Sequence, residues 1–184
     1  MKKSFDYFKS LKEMSLTVGD AYKNMVRTNE FNNEVIKFSG LKWELSNNLF
    51  NEFVAPIERN DIYNLACCLS EELYYISKLN NIITLVDVNM FTFVESICSV
   101  LHKQNLIFDL FSSAKTFEKT LKIINETKAT LNGVNTSVVL SIKNCIKTTE
   151  QPLLKYAVAS GFFDIYKSID KTFSEVQRVV INNN

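Results

Sequence analysis

Apolar residues along this chain recur at steps of three and four, the spacing that puts side chains on one face of a helix. A first helix is predicted over about residues 4–27, with Phe8, Leu11, Ser15, Val18, Tyr22 and Met25 on its seam. A second covers about 29–51 on Phe31, Val35, Phe38, Leu41, Leu45 and Leu49. Pro56 ends that pattern, because the residue before a proline avoids the helical region. The third starts near Glu58, places Glu58 and Asp61 where the helix dipole favours acids, and turns Ile62, Leu65, Leu69, Leu73 and Ile76 inward. Asn80 and Asn81 are a weak stop, and the helix can run on to about Leu85. Residues 86–89 read as the main connection, with Asp87 or Asn89 as the cap of the next helix.

The fourth helix takes about 91–111, with Phe93, Ile97, Leu101 and Phe108 inside. The fifth, about 114–147, repeats in heptads through Phe117, Leu121, Ile124, Lys128, Leu131, Asn135, Val138, Ile142 and Cys145. The sixth begins at Pro152, a residue suited to the first helical position, and is lined by Leu154, Val158, Ile165, Ile169, Val176 and Val180. Three helices, a break and three more imply an all-α fold of six long antiparallel helices, arranged as two side-by-side three-helix bundles. One domain over 1–184 is expected, with halves at about 1–85 and 90–184.

Composition narrows the class further. Only 4 Gly and 2 Pro occur, too few for the many turns of sandwiches, barrels or doubly wound sheets. At 46% hydrophobic the chain has the means to bury a core. Basic and acidic residues number 21 and 20, which gives no footprint for nucleic acid. No run of 18 apolar residues occurs, so no transmembrane segment is expected. Early lysines interrupt any signal peptide, and a cytoplasmic place is expected.

The chemistry is sparse. His102 is the one imidazole, follows Leu101 on an apolar helix, and has neither a ligand-spaced partner nor a nucleophile elbow nearby. Cys67, Cys68, Cys98 and Cys145 form no C-x-x-C pair and read as buried thiols. Glu30 and Glu34 stack at i, i+4, but they open helix two, where acids serve the dipole. Glu71 and Glu72 are adjacent and so point two ways. Lys128 falls on an apolar seam and must snorkel or face a polar cavity. No enzyme and no cofactor are expected.

The most specific stretch is Phe53-Val-Ala-Pro-Ile-Glu-Arg-Asn-Asp-Ile-Tyr-Asn-Leu-Ala66. It resembles the PhoU-like family, in particular the branch of phosphate-transport regulators that accompany Pit-type phosphate transporters. Phe53, Pro56, Ile57, Glu58, Arg59, Asp61, Ile62 and Leu65 stand at the places of that branch's motif between helices two and three. The opening Phe5-Asp-Tyr-Phe8 is similar as well, and helix order and lengths agree along nearly the whole chain. The resemblance implies two three-helix bundles and acidic metal-cluster motifs. Here those acids fall on Lys37 and Ser39 in helix two, on Ser70 and Tyr74 in helix three, and near Lys128, Lys167 and Lys171 in the second half. A charged lysine offers a cation no lone pair, so no metal is expected.

These readings favour a non-enzymatic regulatory or accessory protein of inorganic phosphate transport that acts by protein contact. Its partner would be a Pit-type transporter or a phosphate-signalling protein, met in the cytoplasm or at the inner face of the membrane. Arg59 and Asp61 are the candidate partner or anion contacts; Phe53, Pro56, Ile57, Glu58, Ile62 and Leu65 read as structural. The alternatives are a metal-carboxylate bundle protein and an interaction scaffold unrelated to phosphate. With 14 Phe, apolar surface left outside makes a homo-oligomer, in the first place a dimer, a further expectation.

Overall fold

The computed structural model describes residues 5–28, 30–51, 55, 57–87, 91–111, 116–145, 147 and 151–183. Phe53, Pro56 and Asn89 lie outside them. Six helices run in order: α1 (Tyr7–Arg27), α2 (Asn32–Asn51), α3 (Arg59–Ile83), α4 (Val94–Leu110), α5 (Phe117–Cys145) and α6 (Pro152–Asn182). No strand occurs among the described residues. The fold is all-α, as the periodicity predicts.

Local chemistry explains most of the ends. Asp6 caps α1 by accepting the Lys9 N–H at 3.0 Å. The Glu58 carbonyl takes the N–H groups of Asp61 and Ile62 as α3 opens. Pro152 opens α6, and Gln151 before it holds a left-handed backbone with φ 46°. The start of α4 corrects the expected cap: its N-cap position is Phe93, with no side-chain cap. Phe93 is buried, so hydrophobic contact holds this end where a polar cap was expected. Asn80 and Asn81 do not stop α3, which runs to Ile83. Asn is only weakly unfavourable within a helix, and Leu79 and Ile83 extend the buried face past the pair.

α1, α2 and α3 pack together, as do α4, α5 and α6. The two groups share a centre, because α3 lies along α6 and α1 along α4. α2 and α5 are outer helices, each laid on one half. α2 is the loosest, held mainly by α1 and only lightly by α3. This position explains the burial patterns. α1 touches three neighbours and buries two adjacent seams, adding Tyr7, Ser10, Met14, Thr17 and Ala21 to the expected set. α2 buries one narrow stripe, Phe38, Leu45 and Leu49.

The α3–α6 seam carries a ladder of polar pairs. Asp61 meets Arg178 at 2.5 Å, Glu71 meets Lys171 at 2.5 Å, and Lys78 meets Asp164 at 3.3 Å. Numbers rise along α3 as they fall along α6, so the helices are antiparallel in one fixed register. Gly161 lies in the same seam, and a Cβ there would sit 2.7 Å from Leu79 Cδ1. α1 and α4 are also antiparallel, with Lys12 on Asp109, the Ser15 hydroxyl donating to Asn105, and the buried Tyr22 hydroxyl donating to the Val94 carbonyl at 3.0 Å. An aromatic cluster closes one end, where Phe162 of α6 meets Phe93 edge-on at 5.3 Å between ring centres and Phe91 at 5.9 Å.

Candidate functional site

Two places gather polar side chains with chemical potential. The first is the groove between α2 and α3, of about 520 Å³. Its light packing leaves Ser39, Lys42, Trp43 and Ser46 of α2 facing Ser70, Tyr74 and Ser77 of α3. The Lys42 ammonium donates to the Ser70 hydroxyl oxygen at 2.9 Å. The Ser39 hydroxyl turns back to the Val35 carbonyl. Among the described residues, no carboxylate lines this groove. Ser39, Ser70 and Tyr74, three of the positions where the family resemblance puts acids, thus come together here. Lys37 stays outside the lining. Ammonium and hydroxyl groups donate hydrogen bonds, so the groove suits an anion or a polar protein group better than a cation.

The second place is the centre of the α3–α6 seam. Glu72 is fully buried there. It accepts from Gln104 Nε2 of α4 at 2.9 Å and from the Thr172 hydroxyl of α6. Burial dominates its ionisation and lifts the carboxyl to about 7, against the lowering pull of those two hydrogen bonds and with a smaller push from Glu71. Gln104 Oε1, also buried, has no donor among the described residues. A proton on Glu72 adds a hydroxyl donor to this cluster, the kind of group the orphaned acceptor lacks. Adjacent Glu71 takes the opposite course: it reaches the seam's edge, where its carboxylate raises the pKa of Lys171. The pair does point two ways, but one way is inward. Sequence reasoning passed over Glu72. Its only sequence signal was its place three residues after Leu69 and four before Ile76, on the inward face of α3.

Asp61 is buried and bound to Arg178 of α6, which also reaches Glu175 at 2.7 Å. Its carboxylate is therefore engaged within the chain. Arg59 is exposed in the first turn of α3 and Glu58 is exposed before it, while Ile57 is half-buried and Ile62 and Leu65 are core. Lys128 resolves its apolar position by donating to Gln177 of α6 at 2.7 Å. Lys167 lies over the rings of Phe163 and Tyr166. His102 is exposed on α4, beside Lys23, Arg27 and Glu95. All four cysteines are thiols; burial pushes Cys68 up to about 11, which makes it inert.

Among the described residues, no three His, Cys, Asp or Glu side chains gather closely enough to hold a metal ion. No described helix is long and apolar enough to cross a membrane. No family model matches this chain, and no curated protein matches it.

Proposed function

We propose that this chain is a non-enzymatic regulatory or accessory protein of inorganic phosphate transport, working by contact with a Pit-type transporter or a phosphate-signalling protein. One observation carries the reading. The α2 and α3 positions given by the resemblance at Ser39, Ser70 and Tyr74 meet in a single groove of a two-by-three helix arrangement. Residues brought together from two helices are what a shared ancestral site would leave. Their replacement by hydroxyl groups beside Lys42 favours protein or anion contact over a metal cluster. A contact of this kind regulates only if it binds two states of the partner unequally.

The test is phosphate uptake in cells with and without the gene, joined to co-purification of a tagged chain with membranes that hold the transporter. Altered uptake together with co-purification supports the proposal. Unchanged uptake and unchanged phosphate signalling would end it. Stoichiometric metal in protein purified without chelator would instead favour the metal-carboxylate reading.

A further inference from the structure

We propose that α2 pairs with α2 of a second copy of this chain, antiparallel, about a two-fold axis passing near Gly40. The inference does not need the proposed function and rests on the outward face of α2, where Trp43 also forms the rim of the α2–α3 groove. Ile36, Trp43 and Phe50 are 71%, 71% and 87% exposed. They stand seven residues apart, and Gly40 lies between the first two. At about 100° per residue Ile36, Trp43 and Phe50 fall within an arc of about 40°, which Gly40 widens to about 80°, opposite the buried Phe38 and Leu45. A straight apolar stripe with a heptad period is the seam that one helix offers another.

The charges choose the partner. Lys37 and Glu44 are both exposed on one flank of this stripe, seven residues apart and too distant to pair within one helix. In an antiparallel pair, the same flank of each helix meets its own counterpart. Lys37 then faces Glu44 of the second copy, and Glu44 faces Lys37, so both ion pairs form by symmetry. A parallel pair would set this flank against the other one, which lacks these charges. The same register brings Gly40 beside Gly40 of the second copy and Ile36 beside Trp43. Nothing lies within 4 Å of a Cβ built on Gly40, so the two backbones can approach closely at the crossing. Self-complementarity of this kind, residue i on j and j on i, defines a two-fold interface.

Sedimentation of the full chain over micromolar to submillimolar concentrations reads the result. The expected outcome is a reversible dimer. Lys37→Glu alone and Glu44→Lys alone should each weaken it by about tenfold or more, since each sets like charges together twice. The double variant, Lys37→Glu with Glu44→Lys, should recover the affinity to within about threefold, as coupled neighbours do. Trp43→Glu should leave a monomer. Helical content should hold in every variant, since all these side chains are exposed, and melting temperatures should agree at concentrations low enough for the wild type to be monomeric. A wild-type monomer throughout, a dimer indifferent to the single swaps, or a double variant as weak as the singles would each overturn the pairing.

Discussion

Glu72 is the residue on which the interior depends most on proton concentration. Its carboxyl is held near 7 where an ordinary glutamate stands at 4.5. The folded state therefore grips this proton more tightly than the unfolded chain does. Its contribution to stability is greatest at low pH, falls as pH rises from about 4.5 to about 7, and is constant beyond. The difference corresponds to about 3 kcal/mol. Glu72→Gln should remove that slope. The variant should be more stable than the wild type by about 2–3 kcal/mol at about pH 8 and nearly equal at about pH 5. Urea denaturation at the two pH values checks this, and an equal difference at both would refute it. The Asp61–Arg178 pair is unequal in another way. Arg178→Met strands a buried carboxylate and should cost about 2 kcal/mol or more, while Asp61→Asn leaves Arg178 its Glu175 partner and should cost about 1 kcal/mol.

At the scale of the helix, attachment decides behaviour. α2 buries one narrow stripe and touches α3 only lightly. In a Trp43→Glu variant, which removes any covering by a second copy, α2 amides should exchange with solvent well before those of α3 and α6. Exchange mass spectrometry reads the order, and equal protection would refute it. α5 holds Gly133 exposed in mid-helix with nothing within 4 Å of an added Cβ. Gly133→Ala should therefore stabilise by about 0.5–1 kcal/mol, seen as a higher melting temperature. The helices themselves were legible in the sequence, because a period near 3.6 survives in every segment and the breaks near 28–31, 52–58 and 84–93 interrupt it. Neighbour identity was not. Nothing in one helix's period says that α3 faces α6 across the halves, so neither Glu72 nor the partner of Asp61 could be read from spacing alone. The groove was no more legible, since no spacing within α2 or α3 says that Ser39 and Lys42 stand across from Ser70 and Tyr74.

For the whole molecule, the main consequence is that the halves are not independent. The most extensive helix contact, α3 on α6, crosses between them, and α1 on α4 adds a second crossing. Unfolding should therefore be a single transition. Ellipticity and calorimetry should give coincident midpoints, and two resolved transitions would show that the halves melt separately.

The ladder between α3 and α6 also settles how the halves can move. Sliding α6 by one turn in one direction sets Glu71 against Glu175 and carries Glu72 onto Val176, which pairs like charges and strands a buried acid. Sliding it in the other direction is more forgiving at the middle: Glu71 finds Lys167 and Glu72 finds the hydroxyl of Ser168. The ends then lose their ion pairs, because Asp61 exchanges Arg178 for Ser174 and Lys78 exchanges Asp164 for Ser160. The central rungs thus tolerate one wrong alignment that the terminal rungs reject. Asp61 and Lys78 mark the two ends of the one register in which every rung of the seam is paired.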